Sequence, residues 1–565
     1  MSLFSALQVG SNALQANQIG LSVTGHNISN ANTPGYIRQA VEFSPAPSQR
    51  VGRIQVGLGV QVSGIVQKVD EFLAERLRNA QSDVGSGDAQ EGVYFELETL
   101  IGELSDSDLS SSINKFFGSI HDIGNQPQSK AVRNVAVLEG QHLATSLQRL
   151  SSQVRDVRVR INNEIGATVD DINGYLKDIA KLNQQILDVE GGTGNGGTAA
   201  SLRDQRGQKL TELSKLLDVT ATEQPDGTLN ILSGGEYLVS GSVRREIEAV
   251  KDPDDYLNVY RLQIKETGSP LSINSGRLDG LVVARDEILG GFENQLDELS
   301  QALVFEFNRV YSQGQGLVGF QSLQSEHPVL DANQPLDAAG LPYSPENGNL
   351  TLRVKNTKTE NVVTHQIPIE LNGLETDTTV NSFVNSLNAI DGLSASISSD
   401  GLIQIESSDP SIEFSFGEDT SGVLASLGLN TFFSGSRASD IRIRQDVADN
   451  PALFAASLGG VAGDTENALR LADFANTGLE SIDGRSINEY YAGLIANVSQ
   501  GAANTSAVAE GYRVYSNTLE SQHLSIAGVN LDEEALKMLS FQRSYQAAAR
   551  YIQTVNDLLD VMLSL

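Results

Sequence analysis

The chain has 565 residues, with 39 Lys and Arg against 71 Asp and Glu, a formal charge of −32. That balance excludes nucleic acid or an anionic membrane surface as the main partner, because both require clustered positive charge. The absence of Cys excludes disulfides, thiolate metal sites and a Cys nucleophile, while a hydrophobic content of 39% supplies core material that a disordered acidic chain lacks.

In chain order, Leu7, Leu14, Leu21 and Ile28 recur every seventh residue, ahead of the first Lys or Arg, Arg38, and the first acid, Glu42. The spacing predicts a neutral helix that buries its apolar stripe. Its start has neither the basic residues nor the apolar run of a secretory signal peptide, and no stretch approaches the ~18 apolar residues of a membrane span. Export, if it occurs, is expected without a cleaved signal. Thr33-Pro34-Gly35 predicts the end of this helix, since Pro disfavours helix at Thr33 and Gly35 can take positive φ. Ile54, Val56, Leu58, Val60 and Val62 then alternate, which predicts a strand pair around 54–66.

Helices are expected over Asp88–Leu104 and over Asp108–Ile123, the latter capped by Asp108. A stripe from Leu143 to Val189, without proline, predicts a helix from about Gln128 to Glu190, roughly 90 Å long, and Ala199–Leu217 follows. Turns at Pro225-Asp226-Gly227 and Ser233-Gly234-Gly235 mark a strand region over 219–275. A helix from Arg277 to Tyr311 precedes the largest strand region, 349–446. After Pro451 no proline occurs. Near the end Met538, Phe541, Tyr545, Ala548, Ile552, Val555, Leu559 and Met562 alternate in steps of three and four, an uncharged a/d seam suited to a coiled coil with the amino-terminal helix, with another subunit, or with its own domain's core. The pattern implies an α+β multidomain protein, with a long helical bundle or coiled coil formed by both termini and β-rich domains inserted in the middle.

Letter matches to catalytic motifs fail on context. Gly192-x-Gly194-x-x-Gly197 follows a helix, whereas a dinucleotide loop must follow a strand, so a helix connector is expected. Ser112-x-x-Lys115 lies on an amphipathic helix with no partner motif. The six His form no HExxH-type pair. Asp252, Asp254 and Asp255 around Pro253 read as a solvated loop. No catalytic, cofactor-binding or metal-binding residue is assigned, and no enzyme is expected.

Residues 11–39, SNALQANQIGLSVTGHNISNANTPGYIRQ, resemble the amino-terminal signature of flagellar axial proteins, most specifically at Asn30, Ala31, Asn32, Thr33, Pro34, Gly35 and Tyr36. Residues 529–565 resemble the carboxyl-terminal signature of that group. The interior segments 57–82, 109–137 and 201–219 are similar to the hook-associated protein 1 family. The likeness is weak over 325–446.

The resemblance implies a structural subunit at the distal end of the hook. There it forms the hook–filament junction on which the second junction protein and the filament are built. It implies export through the type III channel to the extracellular flagellum, terminal helices paired in a coiled coil, and outward-facing β domains. The implied partners are other copies of the chain in a ring or helical layer, hook protein below, the second junction protein above, and a cytoplasmic FlgN-like chaperone at the carboxyl-terminal helices.

The expected domains are 1–40 with 525–565 (terminal coiled coil), 41–218 with 277–320 and 447–524 (helical rod with a small hairpin), 219–276 (small β insertion) and 325–446 (outer β domain). A hook or distal-rod subunit is the alternative within the group. A secreted adhesin or enzyme acting through 325–446 is the alternative outside it.

Overall fold

The structure, a computed structural model, describes residues 3–51, 54–102, 108–190, 199–254, 257–374, 376–459 and 463–564. Among them the helices are α1 (Leu3–Ser29), α2 (Glu71–Ile101), α3 (Leu109–Asn125), α4 (Lys130–Glu190), α5 (Ala200–Leu216), α6 (Arg277–Val283), α7 (Gly290–Tyr311), α8 (Val380–Asn388), α9 (Val423–Leu427), α10 (Gln445–Asp449), α11 (Glu466–Asp473), α12 (Ile487–Ala527) and α13 (Leu531–Ser564).

Caps explain several of these limits. Asp108 accepts a hydrogen bond from Ser111 N at 2.6 Å, as expected for the start of α3. Helix α2 begins at Glu71 rather than at the expected Asp88, because Asp70 accepts from Leu73 N at 3.1 Å and supplies an earlier cap. Its expected end at Leu104 lies outside the described residues. The expected single helix Arg277–Tyr311 is interrupted by a π-helical stretch, Ala284–Leu289. The wider turn accommodates Arg285, which is buried and donates to Asn162 Oδ1 and Tyr260 O, both at 2.9 Å.

The first strands are β1 (Gln39–Pro45), β2 (Ser48–Val51), β3 (Ile54–Gly57) and β4 (Val60–Gln67). Here the expected pairing fails: β3 pairs with β2 and β4 with β1, both antiparallel, rather than with each other. The alternation runs through a break at Gly59, whose φ is 87°, and a period of two does not say which strand lies alongside. The next strands are β5 (Thr220–Glu223), β6 (Leu229–Ser233), β7 (Glu236–Ser240), β8 (Val243–Arg244), β9 (Ile247–Asp254) and β10 (Leu257–Ile264); the first four form one sheet and the last two a hairpin. Asp252 and Asp254 therefore lie in a strand, not a loop, and Asp252 pairs with Arg261 at 2.6 Å. Asp255 is outside the described residues, as is the glycine cluster at 192–197 between α4 and α5.

The largest β region comprises β11 (Ser322–Gln324), β12 (Gly348–Asn356), β13 (Asn361–Ile369), β14 (Leu393–Ile397), β15 (Ile403–Ser407), β16 (Ile412–Asp419), β17 (Phe433–Ser434) and β18 (Arg442–Ile443). Its sheets run β13-β12-β16, β11-β15-β14 and β17-β18.

Contacts divide the chain into two units, residues 1–93, 159–285 and 503–565, and residues 94–158 and 286–502. In the first, asparagines of α4 hold strand backbones. Asn162 donates to Asn258 O and accepts from Tyr260 N, Asn173 does both with Ile247, and Asn183 does both with Leu229. Each amide acts as a missing strand neighbour and satisfies one backbone N–H and one C=O. In the second unit, Phe116, Phe307, Phe432 and Phe433 stack and abut at ring separations of 4.9–5.6 Å. A separate apolar core, from Phe320 to Leu429, fills the β region.

Candidate functional site

The nearly neutral ends pack on each other. Helix α1 turns a line of small residues, Ala6, Gly10, Ala16 and Gly20, into a buried face, and α13 lies against it. A Cβ at Gly10 would come within 2.6 Å of Ile552 Cγ1, and one at Gly20 within 2.8 Å of the Phe541 ring. The helices thus approach where α1 has no side chain, and the glycines set the distance. Of the carboxyl-terminal seam, Val555 is buried. Met538, Phe541, Ala548, Ile552 and Leu559 are half-buried, and Tyr545 and Met562 are exposed. Leu7, Leu14, Leu21 and Ile28 are half-buried as well. They flank the contact instead of filling it, because the small residues take its centre. Phe4, Leu536, Leu539, Leu558 and Val561 stand exposed beside the pair.

Beyond Ser29 the chain turns as Thr33-Pro34-Gly35 requires. Asn30 caps the helix through Nδ2 to His26 O at 2.9 Å, and Ala31 N reaches Ile28 O at 3.4 Å. Asn30 O accepts from Thr33 N at 2.9 Å and Thr33 O from Tyr36 N at 3.2 Å; Asn32 is exposed. Gly35 has φ 72°, a left-handed conformation that any Cβ would strain. The turn rests on α5, where Gln208 donates to Pro34 O.

Under the turn lies a buried polar knot between chain segments far apart in sequence. Asn27, 1% exposed, donates to Gln39 O at 2.8 Å and to Glu534 Oε2 at 2.9 Å, and accepts from Tyr36 Oη at 2.7 Å and Gln39 N at 3.0 Å. Glu534, also 1% exposed, takes further bonds on Oε1 from Arg38 Nε at 3.0 Å and Lys537 Nζ at 2.9 Å. All four hydrogen-bonding positions of the Asn27 amide are used. Burial pushes the Glu534 carboxyl up, but the bonds from Asn27 and Lys537 and the charges of Lys537 and Arg38 outweigh it and hold it below the usual range. Burial, then the charges of Asp204 and Glu534, push Tyr36 up to about 12. Asp204 accepts from Gln67 Nε2 at 2.5 Å, and burial raises its carboxyl to about 6 against the bonds from Ile37 N and Gln67.

Sequence reasoning marked the turn and the two stripes but missed Asn27, Arg38, Asp204, Gln208 and Glu534. The one local hint was Glu534, an acid just inside a helix start. Nothing in its surroundings says that it is buried, or against what.

The knot joins α1, the β1 start and α13 by hydrogen bonds. Among the described residues no cluster of His, Asp and Glu could hold a metal ion, and no helix is long and apolar enough to cross a membrane.

Paired, nearly neutral terminal helices around an Asn-Thr-Pro-Gly-Tyr turn, with β domains inserted between them, are the arrangement that the resemblance to flagellar axial proteins implies. Family models agree at both ends: residues 7–36 match the flagella basal body rod protein model, and 520–565 the C-terminal model of the basal body rod FlgEFG proteins. Residues 95–324 match the helical domain of flagellar hook-associated protein FlgK. Along its whole length the chain is similar to hook-associated protein 1 (FlgK) proteins, structural components of the flagellum. It is 28% identical to flagellar hook-associated protein 1 of Escherichia coli strain K12, over the full length of both chains. It is 26% identical to that of Bacillus subtilis strain 168, over all of this chain and 98% of the relative. In fold it resembles the flagellar hook junction protein FlgK of Burkholderia pseudomallei, with a TM-score of 0.53 and 15% identity, over 80% of this chain and all of that one.

Proposed function

We propose that the chain is the subunit that assembles at the distal end of the hook and forms the base on which the second junction protein and the filament are built. The observation that carries this reading is the apolar surface left uncovered beside the paired termini, at Phe4, Leu536, Leu539, Leu558 and Val561. An exposed apolar patch of this kind marks a surface that a partner covers. The occupants are further copies of the chain, with hook protein below and the second junction protein above. Before export the same surface is the one a cytoplasmic FlgN-like chaperone would shield. Export is through the type III channel, with no signal cleaved, to the outside of the cell.

The domain division belongs to the same proposal. Residues 1–40 with 525–565 line the tube, 41–218 with 277–320 and 447–524 form the rod, 219–276 is a small insertion, and 325–446 faces outward. The apolar core confined to 320–429 supports the last of these. The test is gold-labelled antibody against the chain on isolated hook–filament particles, with a strain lacking the chain as control. Label confined to the hook–filament boundary, and filament protein lost to the medium in the control, is the expected result. Label along the hook or the rod refutes it.

A further inference from the structure

Away from the termini, in the first unit, one cation is held ready for a partner. Arg76 of α2 lies between two rings, its Cζ 5.8 Å from the Phe72 centroid and 5.9 Å from the Tyr515 centroid, and its Nη2 donates to Tyr515 Oη at 2.7 Å. Both rings face solvent, Phe72 being 69% exposed and Tyr515 44%. Among the described residues Arg76 has no ion-pair partner. In a chain with 71 acids and 39 Lys and Arg, an exposed, aromatic-clamped Arg lacking a carboxylate is a site whose anion comes from outside. The clamp also removes much of the side-chain entropy that binding would otherwise cost, and Phe, Tyr and Arg are types that dominate interface cores.

The complement lies on α4 of the same unit. Asp170 and Asp171 are exposed and have no ion-pair partner among the described residues, whereas the nearby Asp178 is taken by Lys209 at 2.8 Å. One turn on, Gly174 is exposed and nothing lies within 4 Å of where its Cβ would be. The two carboxylates border a shallow hollow with Gly174 and Tyr175 in its lining and the exposed Lys177 at its far side.

We propose that Phe72, Arg76 and Tyr515 of one copy dock on Asp170, Asp171 and Gly174 of the next, with Phe72 over the hollow and Arg76 on the carboxylates. The contact rests on the reading that copies assemble side by side. Because the two patches differ, it is heterologous and repeats from copy to copy, as a ring or helical layer requires.

The chain has no Cys, so a variant carrying Phe72→Cys and Gly174→Cys holds only the designed thiols. Oxidation of hook–filament particles containing it with copper phenanthroline should give a ladder of disulfide-linked multimers, while each single variant stays monomeric. Arg76→Glu added to the pair should lower the linked fraction at least tenfold, and Asp170→Arg with Asp171→Arg should restore it. Chain present in the particles without a ladder overturns the contact and leaves assembly standing; a dimer from Phe72→Cys alone overturns it in favour of a symmetric one. If the double-Cys chain is missing from particles that take up the wild type, incorporation of the Cys-free chains decides. Arg76→Glu must then enter at least tenfold less, and normal entry overturns the contact. Wild-type chain missing from the particles refutes the assembly reading itself.

Discussion

Replacing Ile552 by Asp tests the terminal helix pair where it is tightest. Ile552 Cγ1 sits 2.6 Å from the place a Cβ of Gly10 would occupy, so its side chain rests on the α1 backbone, with Ala548 and Val555 as uncharged neighbours along the seam. The substitution forfeits the burial of an Ile, about 1.5–3 kcal/mol when complete, of which the half-buried monomer position realises only part. It also sets an unpaired carboxylate against apolar surface, at a cost above the about 1–3 kcal/mol that protein mutational data give for an unpaired neutral polar group. Once neighbouring copies cover the pair, both terms approach their full size, and about 3 kcal/mol per subunit lowers addition to hook ends roughly 150-fold. Gln553→Asp, at the adjacent exposed position, is the matched control. The assay is the amount of chain in purified hook–filament particles, with filament protein in the medium as a second readout. Ile552→Asp should be nearly absent from particles and should leak filament protein, and the control should assemble normally. Equal incorporation of the two refutes the role of the seam. A large drop in the melting temperature of the monomer body would assign the seam to the monomer's own core instead.

Three further outcomes are expected. Gly35→Ala, at a φ of 72° and against the Gln208 side chain, should cost about 1–2 kcal/mol in urea unfolding of the first unit; an unchanged midpoint would mean that the turn is not held by α5. Asp204 has its folded carboxyl raised to about 6, so its contribution is fully present below the unfolded value near 4 and is lost as pH rises through 6. Asp204→Asn should therefore flatten the fall in urea midpoint between pH 4 and 7, and identical slopes for both proteins would contradict the burial of this group. Phe307→Ala empties the centre of the aromatic cluster, where the side chain is fully buried, and should cost the second unit about 3–5 kcal/mol. A loss below about 1 kcal/mol by chemical denaturation would show that the cluster closes over the cavity.

How far the structure was legible depends on whether a feature is local. The amino-acid sequence by itself determined the long helix α4, found at Lys130–Glu190 against an expected Gln128–Glu190, because proline-free stripes and caps act within a few residues. It determined the stop after Ser29, since Pro34 disfavours helix at Thr33 and Gly35 is free to take the positive φ of the turn. It also determined that the two ends are nearly neutral and striped.

Tertiary structure alone decided what covers each stripe. Periodicity reports which side of a helix is apolar and says nothing of its neighbour, so the leucines at 7, 14 and 21 were the visible pattern while Gly10 and Gly20 make the close contact. Strand partners at 54–67 escaped for the same reason. The polar groups were the least legible. Asn27 meets Glu534 across 507 residues, and Asn162, Asn173 and Asn183 look like ordinary solvent-facing residues until the strands they hold are in place. A buried hydrogen bond is complementarity between two particular atoms, and only the folded chain brings those atoms together.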